Sequence, residues 1–251
     1  MLPPSSVRGG GDMAERFSAS VASRHMACRA SANLELAIPN WAPPEVDPDA
    51  DNAANRGTQM HEMFAGVMGL PLKDQKNFAA ALKYVADLRS TRRFKVLIEE
   101  KVTAHWLVSK PSTTVDLVLY VQDEIHVLDL KTGKIPVDPV GNEQLMYYAL
   151  SFGHLAPKAK GVTLHIVQPW AGVMESWFAS TSDLMRFMAQ ARTAETAILA
   201  GDTTFGPSDA CKFCAANPHG RGAKGRPFCP ALMEMYYPTI VDEAAILEKE
   251  D

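Results

Sequence analysis

The chain has 251 residues, 47% of them apolar, with a formal net charge of −4. That is enough chain to bury a real core, and no apolar run approaches the ~20 residues of a membrane-spanning helix. The charge does not announce a nucleic-acid binder but does not exclude one, because metal-binding carboxylates lower the total while a local basic groove still acts. The start lacks a basic-then-apolar signal pattern, so a cytoplasmic location is expected.

Residues 1–16 open with the Pro-, Ser- and Gly-rich MLPPSSVRGGGD and read as a flexible leader, with Met13 as an alternative start. From Phe17 a Ser N-cap suggests a short helix or turn carrying Cys28, and residues 39–52 read as a Pro- and Asp-rich loop. A helix is expected over Asn55–Leu70, with Met60, Met63, Phe64 and Val67 on an apolar stripe and His61 within it. A lone helical histidine is more often structural than a ligand. Leu72–Ser90 reads as a second, packing helix. Phe94–Leu107 reads as the first core strand and carries Glu99-Glu100, either of which could face a site.

Two β-rich runs follow, Val115–Val121 and Ile125–Lys131, around a polar turn at Gln122-Asp123-Glu124. They predict a hairpin. Strand alternation puts Ile125, Val127, Asp129 and Lys131 on one face. An antiparallel partner could bring Asp116 beside Asp129. Burying two carboxylates and an ammonium is costly unless they pair or hold a cation. Taken alone, Asp-x-Lys at a strand end is usually a surface ion pair before a turn.

Asn142–Ser151 reads as a helix with Gln144 and Tyr148 on one face. Gly161–Pro169 reads as a strand, with Val173–Phe178 as its hairpin partner across Trp170-Ala171-Gly172, and Ser182–Ala200 as a long amphipathic helix. The basic clusters Arg92-Arg93-x-Lys95, Lys158-x-Lys160 and Arg221-x-x-Lys224-x-Arg226 read as solvated surface. The four cysteines are Cys28, Cys211, Cys214 and Cys229. Cys211-x-x-Cys214 can place two thiolates on one metal, and His219 or His25 could complete a zinc site. Iron–sulfur ligation, a redox pair and extracellular disulfides are the alternatives that the residues leave open.

In order along the chain stand Gly57-x-x-x-His61, Asp116, Asp129-Leu130-Lys131 and Gln144-x-x-x-Tyr148. This order resembles the PD-(D/E)xK nuclease superfamily in its RecB-like branch, over about Phe17 to Leu232. The pattern is similar to a phage and prophage group within that branch, to the CRISPR adaptation exonuclease and to the AddB nuclease domain. Thr114 stands where the family often has glycine. The resemblance implies an α/β, restriction-endonuclease-like core, a central mixed sheet flanked by helices, with cysteine-bearing terminal segments. Residues 17–240 would form one domain closed by a cysteine-rich segment at 201–232, with 241–251 as a tail.

The resemblance also implies Mg²⁺- or Mn²⁺-dependent hydrolysis of DNA phosphodiesters, with exonuclease action on ends or single strands in phage-type recombination or DNA processing. His61, Asp116, Asp129 and the Leu130 carbonyl would hold the metal, with Glu99 as a further candidate. Lys131 would orient water or stabilise charge, and Gln144 and Tyr148 would position the strand. DNA and phage recombination proteins are the implied partners, in the bacterial host cytoplasm if the chain is phage-encoded. One cysteine before the core and three after it is similar to nucleases bearing a [4Fe–4S] cluster, although fourteen residues here separate Cys214 from Cys229. Zinc is the alternative. The competing functional reading is a non-catalytic nucleic-acid-binding or assembly module with a structural metal site.

Overall fold

The computed structural model describes residues 17–37, 53–69, 78–91, 94–155, 158–214, 216–217 and 229–236. The leader, the loop at 39–52, the tail, His219 and most of the stretch between Cys214 and Cys229 lie outside them. Backbone packing divides the chain into two compact units, Met1–Ala22 with Val46–Arg192, and Ser23–Glu45 with Thr193–Asp251. Each unit has an apolar cluster of its own, one built on the sheet and one around the cysteines, and this underlies the division.

The first unit contains a five-stranded sheet in the order β1 (Lys95–Thr103), β2 (Ser112–Val121), β3 (Glu124–Leu130), β4 (Gly161–Gln168) and β5 (Val173–Ser180). Neighbours pair antiparallel except β3 and β4, which run parallel. The sheet is therefore mixed, and the fold is α/β. A parallel pair needs a crossover, and the helix Glu143–Phe152 lies in it. Asn142 caps this helix by accepting the Leu145 N–H at 3.1 Å. Helices at Ala53–Gly69 and Ala79–Thr91 precede the sheet, and Thr181–Leu199 follows it. Numbered in chain order, the helices are α1 (Ala19–Ala27), α2 (Arg29–Ala37), α3 (Ala53–Gly69), α4 (Ala79–Thr91), α5 (Glu143–Phe152), α6 (Thr181–Leu199) and α7 (Pro230–Tyr236).

Alternation along the central strands decides what each face carries. Leu117, Leu119 and Val121 of β2 join Leu128 and Leu130 of β3 and Val167 of β4 in one cluster. Met60 and Phe64 of α3 and Phe78, Ala81 and Leu82 cover it. Met63, expected on the buried stripe of α3, is exposed. Asp116 and Asp129 alternate away from these leucines and share the other face. The expected strand Phe94–Leu107 is shorter, because Ala104–Lys110 turns and Ala104 N–H bonds back to the Pro111 carbonyl at 2.9 Å. The helix expected from Leu72 is seen from Ala79, and residues 70–77 lie outside the described ones.

No helix among the described residues is long and apolar enough to cross a membrane. In the second unit, Cys28 stands between α1 and α2, while Cys211 and Cys214 lie on and just after a short 3₁₀ turn, Asp209–Phe213. Cys229 directly precedes α7.

Candidate active site

Three neighbouring strands each contribute a carboxylate to one row. The β1–β2 register runs through Ile98–Leu117 and Glu100–Val115, so Glu99 stands across from Asp116. The β2–β3 register reaches Leu117–Leu128, and one step further sets Asp116 across from Asp129. Cross-strand neighbours share a face at about 5 Å between Cβ atoms, close enough for like charges to repel unless something neutralises them.

Asp116 is buried, and its two oxygens have separate partners. Oδ2 accepts the Leu130 N–H at 2.6 Å, and Oδ1 lies 3.2 Å from His61 Nδ1. The first contact ties β2 to the end of β3. The second brings in α3, where Gly57 lets the helix approach the loop after β3; a Cβ there would stand 3.2 Å from Thr132 Oγ1. Glu99 has φ +48° within β1, in the left-handed region that a glutamate adopts at a cost of about 1–2 kcal/mol. One ligand atom each from His61, Glu99 and Asp116 lie within 4.8 Å of one another.

Asp129 is 3% exposed, and its Oδ2 lies 2.8 Å from Lys131 Nζ. The ammonium pairs with this carboxylate at hydrogen-bonding distance. Lys131 Nζ also donates to Gln144 Oε1 at 2.6 Å, and Gln144 Nε2 donates to Tyr148 Oη at 2.7 Å. The relay Asp129–Lys131–Gln144–Tyr148 thus connects the strand end to α5, with Thr113 also bonded to Tyr148. Thr113 had no signal in the sequence, because its role depends only on register.

Electrostatics follow from this crowding. Burial pushes the Asp129 carboxyl up to about 6, against the pull of Lys131 and with a push from Asp116. The bond to Asp116 holds His61 above the usual imidazole range, burial opposes it, and Asp129 and Glu99 add to the rise. Burial, then Asp116, raises Glu99. Burial first, then Asp129, keeps Tyr148 a neutral phenol. All of these shifts report excess negative charge in a partly dry place.

A hard divalent cation fits the donors. Carboxylate oxygens suit Mg²⁺ or Mn²⁺, a neutral imidazole can add a ligand, and the ligand atoms of His61, Glu99 and Asp116 stand within 4.8 Å of one another. The Leu130 carbonyl is adjacent through its own N–H contact with Asp116.

The cysteine set has a different character. Cys214 and Cys229 pack in a cluster with Leu34, Ala216 and Leu232, and Cys211 packs against it. Cys211 Sγ accepts the Ser208 N–H at 3.3 Å, and the Ala231 and Leu232 N–H groups point at Cys229. Burial raises the Cys229 thiol; Cys28 and Cys211 lie close enough to add to the rise.

Fold and site together define an α/β protein with an acidic, lysine-backed row at the end of its central strands. Residues 75–248 match DUF2800, described as a protein of unknown function, and the chain belongs to that family. No curated protein matches it. Among solved structures it is similar to a "Putative exonuclease" from Eubacterium rectale, at 11% identity and a TM-score of 0.46, covering 94% of this chain and 98% of that one. It is also similar to a protein called SSO0001, at 12% identity and a TM-score of 0.38, covering 92% of this chain and 89% of that one.

Proposed function

We propose that this protein is a Mg²⁺- or Mn²⁺-dependent deoxyribonuclease of the PD-(D/E)xK, RecB-like kind, built on a restriction-endonuclease-like core. The observation that carries the reading is the row Glu99, Asp116, Asp129 across three strands, with His61 and Lys131 at its edges. A structural ion pair needs one carboxylate beside Lys131, whereas three carboxylates and an imidazole exceed that need.

His61, Asp116, Asp129 and the Leu130 carbonyl would hold the cation, with Glu99 completing the set. When bound, such an ion polarises the phosphoryl group and lowers the pKa of a bound water. Lys131 offers its ammonium to the developing negative charge or to the attacking water. Gln144 holds that ammonium in place through Oε1, and Tyr148 orients the Gln144 amide. Exonuclease action on DNA ends in phage-type recombination, with recombination proteins as partners in the bacterial cytoplasm, follows from the motif resemblance and remains part of the proposal.

The four cysteines would hold a [4Fe–4S] cluster rather than zinc. What supports thiolate ligation is that backbone N–H groups are directed at Cys211 and Cys229; the choice of a cluster over zinc follows from the resemblance.

The test is digestion of labelled single-stranded, double-stranded and end-blocked DNA with Mn²⁺ or EDTA, alongside Asp129→Ala and Lys131→Ala. Metal-dependent cleavage lost in both variants is expected. Absence of cleavage on every DNA form would favour the binding-module alternative.

A further inference from the structure

Next to the acid row lies a cleft of different chemistry. The loop after β3, through Thr132, Gly133 and Lys134, forms one wall with Trp170 of the β4–β5 turn, and Arg56, Gly57 and Met60 of α3 form the other. The volume is about 450 Å³. A second cleft, of about 480 Å³, starts from the same Gly133, Lys134 and Trp170 and continues along Pro136, Val137 and Val173. Trp170 is the shared wall, and its indole is 53% exposed. Arg56 and Lys134 are exposed as well.

The loop is fixed in place. Gln168 is 4% exposed, and its amide serves this loop. It accepts the Val137 N–H at 2.9 Å and donates to the Ile135 carbonyl at 3.0 Å and, more weakly, to the Gly133 carbonyl at 3.4 Å. A buried glutamine committed to a surface loop holds Lys134 at a set distance from the end of β4. Two residues of its lining, Thr132 and Met60, directly adjoin Lys131 and His61 in the chain.

An exposed indole sharing a cleft with two cationic side chains has the parts by which proteins grip unpaired nucleotides. Each base has a π-face to stack, and cations track the phosphates on either side. A duplex hides its base faces and cannot use the indole in this way. Glu175 lines the second cleft beside Lys134, whereas among the described residues the lining of the first has Arg56 and Lys134 and no carboxylate. We infer that the two clefts form a lane for single-stranded DNA, in which Trp170 stacks on an unpaired base while Arg56 and Lys134 hold neighbouring phosphates. The inference rests on the hydrolase reading for the polymer it names, and it can be tested apart from it.

The test is binding of a fluorescent oligo-dT to the full chain carrying Asp129→Asn, in EDTA, so that nothing is cut. Trp170→Ala should weaken binding about tenfold, the equivalent of ~1.4 kcal/mol, within the range of one base stack. Trp170→Phe should recover most of the loss, and a blunt duplex should not respond to either change. Arg56→Ala and Lys134→Ala should each reduce the slope of log affinity against log salt by about 0.7. Cleavage with Mn²⁺ by the unsubstituted chain separates the two claims. If it cuts DNA while Trp170→Ala binds oligo-dT within twofold of its parent, the lane is overturned and the hydrolase stands. If it cuts nothing yet binds oligo-dT through Trp170, the lane stands alone. No binding of oligo-dT at all overturns the lane.

Discussion

Replacing Asp129 by Asn should make the metal-free protein more stable while abolishing its metal chemistry. In the folded chain the carboxyl titrates at about 6, against an ordinary 3.8, because burial disfavours the charge more than Lys131 favours it. Between these values the folded state holds a proton that the unfolded chain has released. Stability therefore falls as pH rises from about 4 to about 6, and the full cost is present above that. The gap corresponds to roughly 3 kcal/mol at 1.36 kcal/mol per pH unit. An Asn of the same shape escapes this cost and leaves Lys131 its bond to Gln144. At pH 8 the variant should gain on the order of 2–3 kcal/mol, or about 4–12 °C in Tm for a chain of this size. At pH 4.5 only about 1 kcal/mol of that cost is present, so the two proteins should melt within about 2–4 °C of each other. Thermal melts in EDTA at both pH values give the comparison, since His61 and Glu99 titrate in both proteins and largely cancel. Added Mn²⁺ should raise the Tm of the parent and leave the variant unmoved. An equal shift at both pH values, or a variant less stable at pH 8, would refute the reasoning that burial dominates this carboxylate.

Other consequences are more local. Gly161→Ala would put a Cβ 2.2 Å from the Ala179 carbonyl oxygen and 2.7 Å from the Phe178 ring, so urea unfolding should show a loss of about 1–3 kcal/mol. Glu99→Gly should be more stable than Glu99→Ala by about 0.5–1 kcal/mol, because only glycine relieves φ +48°, and both should weaken Mn²⁺ binding. Cys211→Ser, purified without oxygen, should lose iron and the broad absorption near ~400 nm, while an iron-free parent holding zinc would end the cluster proposal.

Much of the centre was legible because strand alternation is a rigid rule. The hairpin was expected at Val115–Val121 and Ile125–Lys131 and is found at Ser112–Val121 and Glu124–Leu130. Helical spacing put Gln144 and Tyr148 on one face, and only the motif resemblance tied them to Lys131, which the structure shows in contact with Gln144. Other features depend on geometry that no local pattern encodes. Glu99 is preferred over Glu100 only through the motif resemblance, and in the structure Glu99, at φ +48°, stands with His61 and Asp116. The end of β1 was misjudged because Ala104, Trp106 and Leu107 are apolar enough to extend a strand, yet they turn. The buried histidines at 126 and 165 gave no periodic signal. They stack 5.6 Å apart, and burial, with His126 alongside, pulls His165 down to about 3. Trp170 looked like a turn residue, and its significance comes from Arg56, more than a hundred positions away in sequence.

Titration calorimetry of Mn²⁺ into the unsubstituted chain and into Asp116→Asn, near pH 7.5, bears most directly on the acid row. One or two ions should bind the former, and Asp116→Asn should lose at least the tighter one. Heats that are absent, or unchanged by that substitution, would mean that these carboxylates do not share a cation.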